Sequence, residues 1–161
     1  MKREIKFRGK RLDNGEWVEG MPCYNSNNGL CIQVLRGEVK NGMAVTSILH
    51  PVSPETVGQF TGLKDKNGKE IYEGDIIDID YKYDACDING VIPDQDCACL
   101  GVVLYNKYTA TYELHLIKAE YPIDVKGYDE EYSLNLYSFD LDGYIDLFGN
   151  IHDNPELLKT E

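Results

Sequence analysis

Apolar and polar residues alternate along much of this chain, with the period of two that is typical of a half-buried β-strand. Ile5 and Phe7 alternate with charged neighbours, and the stretch 70–79 alternates more strongly still. The same pattern recurs in short runs separated by polar turns. It predicts strands near residues 5–8, 16–20, 30–35, 59–63, 70–79, 101–105, 108–117, 133–139 and 144–148.

Turn residues punctuate these runs. Asn and Gly accept the positive φ that tight turns require, so 13–15, 25–29 and 65–69 are predicted turns. Asp142-Gly143 would then join 133–139 to 144–148 as a hairpin. The pattern predicts a β-meander up to Ile48.

Three stretches depart from the strand pattern. Residues 84–98 are expected to form a polar loop and 118–131 an irregular acidic segment. Asn154–Leu158 is the one predicted helical turn, because Pro155 stands at a favourable first position.

The expected fold class is all-β, a short-stranded meander that continues into a sandwich or a barrel, with little helix. At 161 residues the chain is the size of one domain. Pro51 and Pro54 suggest two lobes within it, 1–52 and 54–161, the second with a variable insertion at 84–131.

Charge is distributed unevenly. Residues 1–74 hold 11 Lys/Arg against 9 Asp/Glu, whereas residues 75–161 hold 5 against 19, which is a net −14. The first eleven residues carry six bases and one acid. An acidic surface repels phosphate backbones, so nucleic-acid binding is expected, if anywhere, at the Lys2–Arg11 stretch.

The compartment is expected to be the cytoplasm. The basic N-terminus is followed by no apolar run of a secretory signal, and no segment is long and apolar enough to cross a bilayer. Five cysteines, an odd number, suit a reducing environment better than a disulfide framework.

Three blocks of sequence carry a family resemblance. They are Arg3–Lys10 with Gly15–Gly20, Pro54–Ile77, and Gly149–Leu158. In this order the blocks resemble the YopX family, which is found mainly in phages and prophages of bacteria. The resemblance implies an all-β fold with an SH3-like barrel, a bacterial host cell, and no catalytic residues to carry over.

Metal chemistry has weak support. Cys86, Cys97 and Cys99 would need a fourth ligand from Cys23, Cys31 or His115, and the Cys-x-Cys spacing is shorter than zinc knuckles use. Asp140, Asp142 and Asp146 resemble a calcium loop without its closing glutamate. We therefore expect no metal and no cofactor.

Enzymatic chemistry is not expected either. His152 stands beside Asp153, but adjacent residues of an extended segment point apart, and capping of the short helix explains both. No phosphate-binding glycine loop and no serine or cysteine nucleophile signature occurs.

The favoured function is therefore a phage accessory protein that binds another protein or associates with itself, since tyrosine, with 12 copies here, is enriched at interfaces. A nucleic-acid-associated barrel that uses the basic stretch, an acidic DNA mimic, and an enzyme of unrecognised type are the alternatives. Candidate binding residues are bases, aromatics and a histidine of the family blocks: Lys6, Arg8, Lys10, Trp17, Tyr72 and His152.

Overall fold

The computed structural model describes residues 4–36, 46–87, 90–119, 125–126, 133–136 and 144–158, with the backbone alone for 81–97 and 125–126. Within these ranges the protein is built from strands, two 3₁₀ turns and connecting turns, arranged as two antiparallel sheets. The all-β expectation is confirmed. The finer assignment to an SH3-like barrel stays a prediction. No helix of the described ranges is long and apolar enough to cross a membrane.

The first sheet has the strand order β4-β3-β2-β1-β5-β6. Its strands are β1 (Phe7–Lys10), β2 (Trp17–Tyr24), β3 (Leu30–Arg36), β4 (Thr46–Pro51), β5 (Gly58–Lys64) and β6 (Glu70–Tyr72). A 3₁₀ turn, η1 (Pro54–Thr56), precedes β5. Because β1 to β4 are neighbours in chain order, the predicted meander is confirmed.

The predicted turns form where Asn, Asp and Gly allow them. Gly15 has a φ of 71° between β1 and β2, and Gly68 one of 82° between β5 and β6. The Asn25 side chain accepts hydrogen bonds from the backbone N–H groups of Asn27 and Gly29. The Asp65 side chain likewise accepts hydrogen bonds from the backbone N–H groups of Asn67 and Lys69. A side-chain acceptor therefore closes each of these two turns.

The chain divides into two compact units, Met1–Gly62 and Leu63–Glu161. In the first unit, β2 changes partner along its length. Its first half, Trp17–Gly20, pairs with β1, and its second half, Met21–Tyr24, pairs with β3. A Cβ on Gly20 would stand 2.2 Å from the carbonyl oxygen of Gln33, so the missing side chain lets the two strands meet.

The second sheet lies in the second unit, with the order β10-β9-β8-β7-β12 and β11 paired to β9. Its strands are β7 (Asp75–Asp87), β8 (Gly90–Asn106), β9 (Thr111–Ala119), β10 (Val125–Lys126), β11 (Ser133–Asn135) and β12 (Ile145–Asn150). The 3₁₀ turn η2 (Pro155–Leu158) follows and confirms the predicted helical turn.

Successive side chains of β7 lie on opposite faces of this sheet. Ile77 and Ile79 belong to the main core, whereas Ile76 lies on the opposite face in a smaller cluster that Leu157 and Leu158 of η2 help to cover. Asp75 lies on the face of Ile77 and Ile79, and Asp78 and Asp80 lie on the opposite face, as predicted. Asp75 is 1% exposed, whereas Asp80 lies at the surface.

Two predictions about local structure were wrong. Most of the predicted 84–98 loop is strand: β7 and β8 pair as far as Asp87 and Gly90. Backbone hydrogen bonds hold such a hairpin whatever the polarity of its side chains. The predicted hairpin of 133–139 with 144–148 also fails, because β11 pairs with β9 and β12 with β7. Of the predicted irregular segment, 118–119 and 125–126 are strand, and 120–124 and 127–131 lie outside the described residues.

Candidate functional site

The predicted basic residues gather on one side of β1. Lys6, Arg8 and Lys10 alternate along the strand and therefore share a face. The pairing of β1 with β2 sets Lys10 directly opposite Trp17. Four of the six predicted binding residues thus come together in the first unit.

Cations cover the aromatic rings of this face. The Arg8 Cζ lies 4.5 Å and the Lys10 Nζ 5.6 Å from the centroid of the Trp17 ring. The Lys6 Nζ lies 5.0 Å from the centroid of the Phe60 ring. All three distances are within the range of cation–π attraction. The bases of β1 therefore bind the protein's own aromatic rings.

Exposure of these cations is small. Arg8 is 9% exposed and the Lys6 side chain 20%, with Glu4 at 3.4 Å from the Lys6 Nζ. Arg11 forms an ion pair with Asp13, which holds the pKa of that carboxyl below its usual value. Phosphate contacts need cations that reach solvent, so this face is poorly suited to a nucleic-acid backbone.

Large apolar side chains lie exposed on the same sheet. Met21 of β2 pairs with Gln33 of β3, which pairs with Leu49 of β4, and Leu35 lies two residues beyond Gln33. Met21, Leu35 and Leu49 are therefore on one face, and they are 46%, 53% and 44% exposed. We call these three residues the apolar patch. It extends to β4, the edge strand of the described sheet.

The other two predicted residues belong to the second unit. Tyr72 is 1% exposed, with its hydroxyl donating to Glu70, so its ring is a core element and no part of a surface. His152 is half-buried, and its backbone N–H donates to the Asn150 side chain.

A cavity in the second unit escaped the sequence analysis. It measures about 260 Å³ and is lined by Asp78, Ala98, Leu100, Lys118 and Phe148. Burial, then the carboxylates of Asp80 and Asp146, raise the pKa of Asp78 above its ordinary value. Alternation had placed 78 and 80 together, but the strands that bring the other residues beside them are distant in sequence.

A polar cluster on β9 was also missed. The Glu113 carboxylate is buried and accepts hydrogen bonds from the Asn106 amide, the Thr109 hydroxyl and the Ser133 hydroxyl. The bond from Asn106, together with those from Thr109 and Ser133, lowers the pKa of Glu113 against the effect of burial. Donors from β8, from the turn after it and from β11 meet at this one carboxylate, so the cluster is suited to holding β8, β9 and β11 together.

The family model for the YopX protein matches residues 6–159. The chain belongs to the YopX family. No curated protein matches it. A solved structure, protein EF1440 from Enterococcus faecalis, is 25% identical, covers 98% of this chain and 100% of its own, and superposes with a TM-score of 0.48.

In this YopX family protein, the middle and last blocks of the resemblance meet around one buried carboxylate. Asp75 accepts from the Tyr72 backbone N–H at 2.8 Å and from the Asn150 side chain at 3.1 Å. Asn154 accepts from the Asn150 backbone N–H at 3.3 Å. The conspicuous Gly-Asp and Asn-rich segments of these blocks are thus structural.

The described side chains of the YopX family protein include no group of three His, Cys, Asp or Glu that could hold a metal ion. Cys23 and Cys31 are free thiols. The Cys86 and Cys97 side chains, Asp140 and Asp142 lie outside the described residues. Asp146 forms an ion pair with the Lys66 Nζ at 2.6 Å, which raises the pKa of Lys66.

Proposed function

We propose that this YopX family protein is a phage or prophage accessory protein that acts by binding another protein, and that the apolar patch of the first unit is the contact surface. The observation that carries the proposal is the exposure of Met21, Leu35 and Leu49 on one sheet face. Clustered exposed apolar side chains are typical of protein interaction sites.

The surroundings of the patch support a protein partner. β4 is the edge strand of the sheet in the described part of the chain, and its Leu49 belongs to the patch. An edge strand offers backbone donors and acceptors beside the apolar side chains, so a partner strand could add both kinds of contact.

Nucleic acid is the less favoured partner. The Arg8 guanidinium stacks on Trp17 in a buried position, and Arg11 is engaged by Asp13. Affinity for nucleic acid arises largely when protein cations neutralise phosphates and displace the counterions condensed on them. Cations that already serve internal pairs contribute little to this neutralisation.

The experiment is photo-crosslinking of the full chain in the bacterial host. p-Benzoylphenylalanine replaces Leu49 in one variant and Tyr108, which is 87% exposed in the second unit, in the control. We expect the Leu49 variant to give a discrete covalent adduct and the Tyr108 variant to give none of the same mass. An adduct of twice the chain mass would identify a second copy as the partner.

A matched surface variant completes the test. Leu35→Ser with Leu49→Ser should abolish an adduct formed from a crosslinker placed at Met21, while circular dichroism remains unchanged. Identical adducts from the patch and from Tyr108, or a salt-dependent shift of labelled DNA at low protein concentration, would contradict the proposal.

A further inference from the structure

The cavity of the second unit is lined by an acid, a base, two apolar side chains and an aromatic ring. We propose that it binds the side chain of an arginine carried by a partner protein. Asp78 of β7 pairs with Leu100 of β8, which pairs with Lys118 of β9, so these three residues form a row across the sheet. Ala98 lies two residues before Leu100 on the same face.

Phe148 lies at an irregularity of β12 and is the aromatic member of the cavity lining. The register of β12 against β7 shifts between Leu147 and Gly149, and Phe148 is the extra residue. Such a bulge turns its side chain away from the regular pleat. Phe148 is 60% exposed and lines the cavity, so a large aromatic ring stands open to solvent beside Asp78.

The charge around Asp78 favours a cation. Asp80 lies on the same strand, Asp146 pairs with Asp78 from β12, and Lys118 faces it from β9. The two carboxylates affect Asp78 more strongly than Lys118 does. Lys66 neutralises part of the Asp146 charge. Among the described residues the balance of charge near the cavity is negative, and the net −14 of residues 75–161 attracts basic partners over a longer range.

Arginine fits this arrangement better than other cations. Its planar guanidinium pairs with a carboxylate in a fork and stacks on an aromatic ring, so Asp78 and Phe148 can engage it together. Its aliphatic stem needs apolar surface, which Ala98 and Leu100 provide. A volume of about 260 Å³ accepts one long side chain rather than a folded segment.

This inference is independent of the apolar patch, because every residue it uses lies in the second unit. Loss of the patch contacts would leave the cavity intact, and the reverse also holds. The two proposals therefore fail separately.

The test is a titration of the full chain, labelled at Ala and Leu methyl groups, with the capped pentapeptide Gly-Gly-Arg-Gly-Gly at low salt and pH 7.5. The same peptide with citrulline, which keeps the shape and loses the charge, is the matched probe. We expect saturable shifts of the Ala98 and Leu100 methyls with arginine, and at least tenfold weaker binding with citrulline.

Variants distinguish the cavity from general charge attraction. Asp78→Asn and Phe148→Ala should each weaken binding of the arginine peptide at least tenfold. Glu19→Gln and Tyr108→Ala, which alter an exposed acid and an exposed aromatic elsewhere, should leave it unchanged.

Several results would overturn the inference. The first is the absence of saturable methyl shifts with the arginine peptide, and the second is equal binding of the citrulline peptide. The third is a loss of arginine-peptide binding with Glu19→Gln as large as that with Asp78→Asn. Tighter binding of a lysine peptide would reject arginine as the ligand. Methyl spectra of the variants, which must keep the dispersion of the wild type, establish that each is folded.

Discussion

The Asn150 side-chain amide donates a hydrogen bond to the Asp75 carboxylate at 3.1 Å, across 75 positions of the chain. Asp75 begins β7 and Asn150 ends β12, and these two strands pair with those residues opposite each other. The contact closes one end of the second sheet. A buried carboxylate is costly unless donors surround it, and here the Tyr72 backbone N–H supplies another.

Asp75→Asn should destabilise the protein by about 1–3 kcal/mol, the cost of an unsatisfied buried polar group. An amide nitrogen would face the N–H of Tyr72 or the amide of Asn150, both of which are donors. Urea unfolding at pH 7 measures the change. Asp80→Asn, at an exposed position of the same strand, is the control and should cost far less.

Gly20→Ala should destabilise the first sheet by at least about 2 kcal/mol, since overpacking against backbone leaves little room for relaxation. The added Cβ would stand 2.2 Å from the Gln33 carbonyl oxygen, so β2 and β3 would have to separate. Thermal unfolding reports the loss. An unchanged melting temperature, equal to that of Met21→Ala on the exposed face, would show that β2 and β3 approach less closely.

The Arg8–Trp17 pair should contribute a coupling free energy of about 0.5–2 kcal/mol. A double-mutant cycle of Arg8→Met and Trp17→Leu isolates it from the area each side chain buries, provided each variant remains folded. Urea unfolding of the four proteins gives the value. A coupling near zero would mean that the 4.5 Å contact is packing without electrostatic attraction.

Glu113→Gln should destabilise the protein at neutral pH by about 1–3 kcal/mol and much less in acid. The pKa of Glu113 is lower in the folded protein than its ordinary 4.5, so the unfolded chain binds the proton more readily. The stability that Glu113 contributes is therefore present above the unfolded pKa and is lost as the pH falls through the folded pKa.

Unfolding free energies of wild type and Glu113→Gln at pH 7 and pH 3 test this prediction. The gap between the two proteins should shrink at pH 3. Glu19→Gln, at an exposed carboxyl, should show a small gap at both values. A gap for Glu113→Gln that is constant with pH would contradict the proposed hydrogen-bonded carboxylate.

Errors in the predicted strands have a common cause. The period-two pattern indicates whether one face of a strand covers a core. Residues 84–98 are polar and were therefore predicted to form a loop, although most of them form the paired ends of β7 and β8. Strand partners are not local either. Residues 133–139 and 144–148 are close in sequence and were predicted to pair as a hairpin. In the sheet, β11 pairs with β9 and β12 pairs with β7, so β9, β8 and β7 separate them.

Among the candidate sites, too, sequence patterns predicted one and strand pairing alone assembled the other. Lys6, Arg8, Lys10 and Trp17 were predicted from the basic stretch and the first family block, and the pairing of β1 with β2 joins them. It offered no signal for the cavity, because Asp78, Leu100, Lys118 and Phe148 come from four strands and meet through register and a bulge.

By itself, the sequence determined the all-β class, the turns at Gly15, Asn25 and Asp65, and the separation of Asp75 from Asp78. Each depends on backbone conformations or side-chain directions that a few neighbouring residues set. Only the tertiary structure decided that Tyr72 is a core ring, that the Arg8 guanidinium lies over Trp17, and that Asp78 and Phe148 line one cavity. These contacts depend on strand order and register, which arise from the packing of the whole sheet.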